Sequence, residues 1–101
     1  MLEEEAETQD RRKLAQIQSN DRAKQRAEDV KWLMQNEAGR RIMWQLLSDA
    51  GVFRSSFTGD TDGMLYKEGK RAIGLSHLGE ITAHCKPEFI LMLEEHQTDA
   101  D

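Results

Sequence analysis

Residues 36–73 read NEAGRRIMWQLLSDAGVFRSSFTGDTDGMLYKEGKRAI, and the folding of this stretch organises the rest of the chain. It holds two short basic elements, Gly39-Arg40-Arg41 and Gly69-Lys70-Arg71, each near the start of an apolar helical pattern. In the first pattern Asn36 is placed to N-cap a helix. Glu37 falls in its first turn, where the macrodipole favours an anion. Ile42, Met43, Leu46 and Leu47 form one apolar stripe at helical spacing. Gly51 stands where a left-handed C′ residue belongs, with Leu47 and Val52 as the apolar pair of a Schellman stop. The pattern predicts a helix over about 37–50.

Val52 to Asp62 reads as loop. Phe53 and Phe57 lie four apart in it and are expected to pin it to the body; the alternative is an aromatic anchor for a partner. Asp60, Asp62 and Gly63 touch the calcium-loop pattern. Thr58, however, stands where its first Asp belongs and Gly69 where its bidentate Glu belongs. Asp60 or Asp62 is therefore expected to cap the next helix, over about 64–84. Leu65, Gly69, Ala72, Leu75, Leu78 and Cys85 fall on one side of it. Gly69, Gly74 and Gly79 each cost about 1 kcal/mol against Ala inside a helix. Gly69, on the stripe, is expected to recover that cost by close helix approach, and one bent helix is preferred to a break near Gly74. Pro87 suits the first position of a last helix, faced by Phe89, Ile90, Met92 and Leu93.

Upstream, residues 11–35 contain no Gly and no Pro and are rich in helix formers. Ala23, Ala27, Val30 and Met34 are spaced four, three, four, a narrow seam suited to packing on another helix. Trp32 lies off that seam and is expected to reach back to the body. Residues 1–10, MLEEEAETQD, are an acidic start expected to fray or to be ordered by a partner. All seven glycines and five of the six aromatics fall after residue 38. The reading is all-α: a long polar N-terminal helix, then a small bundle of three or four short helices. Residues 1–10 are the flexible start, 11–35 a helical arm, 36–96 the compact part and 97–101 a polar tail.

At 101 residues the chain makes one domain at most, with a core too small to assure stability alone. The net charge of −5 argues against a general nucleic-acid binder. Cys85 is the single cysteine, so no internal disulfide forms and a reducing compartment fits best. No apolar run is long enough to span a membrane, and the acidic start lacks the apolar region of a signal peptide.

The candidate chemistry is thin. His77, Glu80 and His84 share one helix face, but a metal there needs a further ligand or an open position with supporting groups. A solvated face with a Glu–His contact is the simpler account. Cys85 has no base fixed against it and suits a buried stripe. Gly69-Lys70-Arg71 lacks the first Gly and the Ser/Thr of a P-loop. No catalytic residue, cofactor or metal is expected. Arg40, Arg41, Lys70 and Arg71 lie near helix starts, where cations are disfavoured. Internal carboxylates such as Glu37 and Glu68 are the first candidates to offset this, an acidic partner surface the second, and phosphate the third.

Three runs carry a resemblance: Gly39-Arg40-Arg41-Ile42-x-Trp44-x-Leu46-Leu47, Gly51-Val52-Phe53-Arg54-Ser55-Ser56-Phe57, and Glu68-Gly69-x-Arg71-x-Ile73-Gly74-Leu75. With the closing Pro87-Glu88 and Met92, they resemble a family of small proteins of short-tailed bacteriophages, encoded among head and portal genes. The resemblance covers about residues 36–95 and leaves the arm outside. It implies a non-enzymatic component of the virion or of its assembly, made in the host cytoplasm, near the portal, the head-to-tail connection or the ejected internal proteins. The implied partners are other phage structural proteins and further copies of the chain, with no membrane. Ala23, Ala27, Val30, Met34, Arg40, Arg41, Phe53, Phe57, Lys70 and Arg71 are the candidate contact residues. The alternative is a small DNA-associated phage protein using Arg40/Arg41 and Lys70/Arg71.

Overall fold

A computed structural model of the chain describes residues 1–54 and 59–97. Among these residues the order is α1 (Leu2–Gln35), α2 (Glu37–Asp49), α3 (Thr61–His84) and α4 (Lys86–His96), with no strand. The all-α expectation, a long N-terminal helix before a small helical bundle, holds.

α1 runs for 34 residues and takes in the acidic start. Glu3, Glu4 and Glu5 occupy its first turn, at the positive end of the dipole. Every residue through Arg26 is exposed. At 1.5 Å per residue, the 24 residues of α1 before Arg26 project about 36 Å from the body. Local pairs support this stretch, among them Gln16 to Asn20 at 2.9 Å and Arg11 with Glu7 at 4.0 Å. The radius of gyration is 19.5 Å, against about 13 Å for a compact domain of this length. The arm accounts for the excess.

The core gathers where the four helices meet. Val30, Met34, Leu47, Val52, Ile81, Cys85 and Met92 are buried, and Met43, Trp44, Ala50, Leu78 and Phe89 pack against them. α1 and α2 meet in a one-residue corner at Asn36, which is extended at φ −96°, ψ 132°. The Asn36 side chain does not cap α2 as expected; its Nδ2 donates back to the Trp32 carbonyl at 2.7 Å. The corner is tight enough that a Cβ on Gly39 would fall on the Leu33 carbonyl.

The end of α2 follows its expected form. Gly51 is left-handed at φ 79°. The Gly51 N–H donates to Ser48 O at 3.0 Å and the Val52 N–H to Leu47 O at 3.1 Å, the two bonds of a Schellman motif. Asp60 caps α3, accepting from the Gly63 N–H at 2.6 Å. α3 is unbroken through all its glycines.

Four packing expectations change. On α2, Met43 and Leu47 face inward, but Ile42 and Leu46 are 58% and 56% exposed. On α3 the buried side runs through Gly74, Leu78, Ile81 and Cys85, leaving Leu65, Ala72 and Leu75 outward. Gly74, not Gly69, makes the close approach: a Cβ there would meet Val52 Cγ2 at 2.5 Å and Ala50 Cβ at 2.7 Å. Gly69 and Gly79 face open space. On α4, Met92 is buried and Phe89 partly so, while Ile90 and Leu93 stay on the surface. The common cause is that each helix touches its neighbours along a strip narrower than its apolar residues could cover. Helical periodicity alone does not select which part of a wide stripe is used.

Candidate interaction site

The two basic elements do unlike things. Arg40 is buried, and its guanidinium forks onto Glu95, Nε to Oε1 at 2.6 Å and Nη2 to Oε2 at 3.2 Å. Nη1 donates to the Met34 carbonyl at 2.9 Å, one of the acceptors left open where α1 ends. The hydrogen bonds from Arg40 hold the Glu95 carboxyl below the ordinary carboxylate range. Arg40 is thus a clamp joining α1, α2 and α4. Arg41 pairs with Glu37 at 3.2 Å on the surface. Internal pairing, the first account of these arginines, describes both, although the carboxylate for Arg40 comes from α4 rather than from Glu37.

Lys70 and Arg71 face elsewhere. With Arg54 and Lys67 they line a cleft of about 120 Å³ against the last turn of α2, where Ser48, Asp49, Ala50 and Gly51 form the other wall. The negative end of the α2 dipole, worth about half an elementary charge, offsets a small part of four cations. Asp49 adds one carboxylate, already accepting from Gln45 Nε2 at 2.8 Å. The cleft stays positive. Lys70 lies over the Tyr66 ring at 5.4 Å. Arg71 Nε is buried with no hydrogen-bond acceptor among the described residues. A buried donor without a partner costs of order 1–3 kcal/mol, so the cleft is unsatisfied as it stands. Arg54 and Lys67 join it through the loop and one turn of α3, a grouping that their sequence separation hides.

The proposed helix seam divides. Val30 and Met34 lie in the chain's own core, at 7% and 0% exposure, and Ala27 is half-buried. Val30 and Met34 pack in the core where the four helices meet rather than presenting a free surface. Ala23 alone of the four is exposed. Trp32 does not reach back into the body; it is 68% exposed. Phe53 stacks on Trp44 at 4.9 Å, and Trp44 stacks in turn on His96 at 4.6 Å, so the Phe53 ring lies against the body. Phe57 lies outside the described residues.

The His77–Glu80 face serves α1. Arg26 grips Glu80, Nε to Oε2 at 2.6 Å and Nη2 to Oε1 at 2.9 Å, and His77 Nδ1 is 3.1 Å from Oε1. These hydrogen bonds, Arg26's foremost, hold the Glu80 carboxyl at about 2. Nothing in the sequence pattern announces Arg26, the last exposed residue before α1 meets the body. Cys85 is buried, and burial pushes its thiol up, away from nucleophilic chemistry. Among the described residues no three His, Cys, Asp or Glu side chains form a metal-holding group, and no helix is long and apolar enough to cross a membrane.

The family model described as Bbp19-like phage protein matches residues 30–95. That is most of the chain, and it spans the end of α1, the basic cleft and the Arg40 clamp. The chain belongs to this phage family. No curated protein and no solved structure matches it.

Proposed function

We propose that this Bbp19-like phage protein is a non-enzymatic structural or assembly component of the virion, working through contacts with copies of itself and with portal, adaptor or internal-protein neighbours. One observation carries the reading. About two dozen residues of α1 project from the body, exposed, and among the described residues their side chains pair only within α1. A polar helix of that kind is marginal in water and gains its stability from a surface it lies on.

The body supports the same reading. Among the described residues its buried set holds seven apolar residues, while Trp32, Ile42, Leu46, Leu65, Tyr66 and Ile73 are each more than half exposed. Gly69 and Gly79 give up helix stability with no close neighbour among the described residues to return it. A contact formed in the particle supplies both.

The positive cleft favours a second reading, a small DNA-associated phage protein. Lys70 and Arg71 suit it; Arg40, locked on Glu95, and Arg41, paired with Glu37, do not.

Quantitative mass spectrometry of purified particles from a phage encoding this chain tests the structural reading. A fixed copy number per portal is the expected result. Absence from particles and from assembly intermediates would reject it. In parallel, circular dichroism over a hundredfold concentration range should show helicity rising as the arm finds its partner surface.

A further inference from the structure

The cleft and the first ten residues of α1 carry opposite charge at opposite parts of one molecule. Residues 1–10 hold Glu3, Glu4, Glu5, Glu7 and Asp10 and no Lys or Arg. Glu7 makes one contact at the outer limit of an ion pair, with Arg11 at 4.0 Å; Glu3, Glu4, Glu5 and Asp10 have no ion-pair partner among the described residues. The α1 dipole accounts for roughly half a charge at its N-terminus, so the acidity of the tip far exceeds what helix capping requires. Among the described residues the cleft shows the mirror situation: its lining sets four cations against one carboxylate and a helix end, and Arg71 Nε is buried with no acceptor.

The two cannot meet within one chain. α1 is continuous from Leu2 to Gln35 and first touches the body near Arg26. Its tip therefore stands about 36 Å, some 24 residues of helix, beyond that contact. Reaching the chain's own cleft would require breaking the helix.

We propose that the Arg54–Lys67–Lys70–Arg71 cleft is the docking site for the acidic N-terminal turns of α1 from a second copy of this chain. The inference rests on the oligomeric reading above and assigns its interface. The contact is head-to-tail: each copy offers an arm to one neighbour and a cleft to another. Such a heterologous contact closes into a ring when its rotation permits, and otherwise propagates as a filament. Carboxylates of the arm face Lys67 and Lys70 at the exposed rim and bring an acceptor to Arg71. Because the rim is solvated, the association weakens with salt.

Two full-length charge-reversal variants test this. The arm variant is Glu3→Lys, Glu4→Lys, Glu5→Lys and Glu7→Lys; the cleft variant is Arg54→Glu, Lys67→Glu and Lys70→Glu. Sedimentation velocity should show self-association of wild type that falls at 0.5 M salt, with each variant alone weakened by about tenfold or more. Mixing the two variants should restore assembly, since the basic arm then meets an acidic cleft and the acidic arm a basic one. Zero-length carboxyl–amine crosslinking of mixed ¹⁴N and ¹⁵N wild-type chains should join Glu3–Glu7 of one copy to Lys67 or Lys70 of another. The arm variant alters only exposed residues, whose one ion pair among the described residues is the 4.0 Å contact of Glu7 with Arg11 within α1, so it reports even if the cleft variant misfolds. Wild-type assembly that both variants retain overturns this interface and leaves the oligomer standing. A wild type that stays monomeric at every concentration overturns both. Tight binding of a 30-base-pair duplex that the cleft variant loses, with no arm crosslinks, assigns the cleft to nucleic acid instead.

Discussion

Arg40 holds both carboxylate oxygens of Glu95 while its third nitrogen caps the Met34 carbonyl, so one side chain fastens α2 to α4 and to the end of α1. The pair is mostly buried, at 10% and 23% side-chain exposure. Removing one member leaves the other desolvated and the Met34 carbonyl open. Arg40→Ala should destabilise the chain by roughly 3 kcal/mol. Arg40→Lys should recover only part of this, because an ammonium cannot fork onto a carboxylate and reach a carbonyl at once. Urea unfolding of the three proteins measures it; an Arg40→Ala variant within about 0.5 kcal/mol of wild type would show that the clamp is dispensable.

The glycines of α3 should separate cleanly. Gly74→Ala puts a methyl group against Val52 and Ala50 and should cost about 1–3 kcal/mol through overpacking. Gly69→Ala and Gly79→Ala meet nothing within 4 Å among the described residues. Each should stabilise the isolated protein by about 1 kcal/mol through helix propensity. Thermal melts of the three single variants decide this, and equal effects of one sign would mean that α3 is turned differently on the body.

Gly51→Val should be destabilising by more than about 1 kcal/mol, the usual strain of a left-handed residue with a side chain. Among the described residues nothing stands within 4 Å of a Cβ there, so the cost is backbone strain at φ 79° and not a clash. Gly51→Asn should lose less, since Asn tolerates that conformation. A Val variant melting with wild type would place the end of α2 elsewhere.

Acid should loosen the junction of the arm with the body. Glu80 titrates at about 2 in the folded chain, below its ordinary 4.5. A depressed carboxyl contributes stability in full above the unfolded value and loses it as pH falls toward the folded one. Wild type should therefore melt a few degrees above Glu80→Gln at pH 7, with the gap closing between about pH 5 and pH 2. Glu95, also depressed by its arginine, is present in both proteins, so the comparison isolates Glu80. A gap that stays constant down to pH 2 would remove the Arg26–Glu80 pair from the account.

Elemental analysis of dialysed protein should find no stoichiometric zinc, and His77→Ala should change stability by less than about 0.5 kcal/mol, as for a surface position. Among the described residues the polar contact of His77 is to a Glu80 already gripped by Arg26. One bound metal per chain would reverse this.

Local features were legible from sequence because short-range sterics and hydrogen bonding decide them. Gly51 ends α2 since its position requires a left-handed residue, and Asp60 caps α3 since its side chain reaches the Gly63 N–H three residues on. The unbroken run without Gly or Pro before Asn36 makes α1. Tertiary structure decided what those elements show to one another. It turned Val30 and Met34 into core and left Trp32 in solvent. It chose Gly74 over Gly69 for close approach, and it parted Arg40 from Lys70 and Arg71. Each choice depends on the rotation of one helix against another. That rotation is set by the joint packing of residues tens of positions apart, such as Arg26 with Glu80 and Arg40 with Glu95, and a helical repeat read along a single element carries no trace of it.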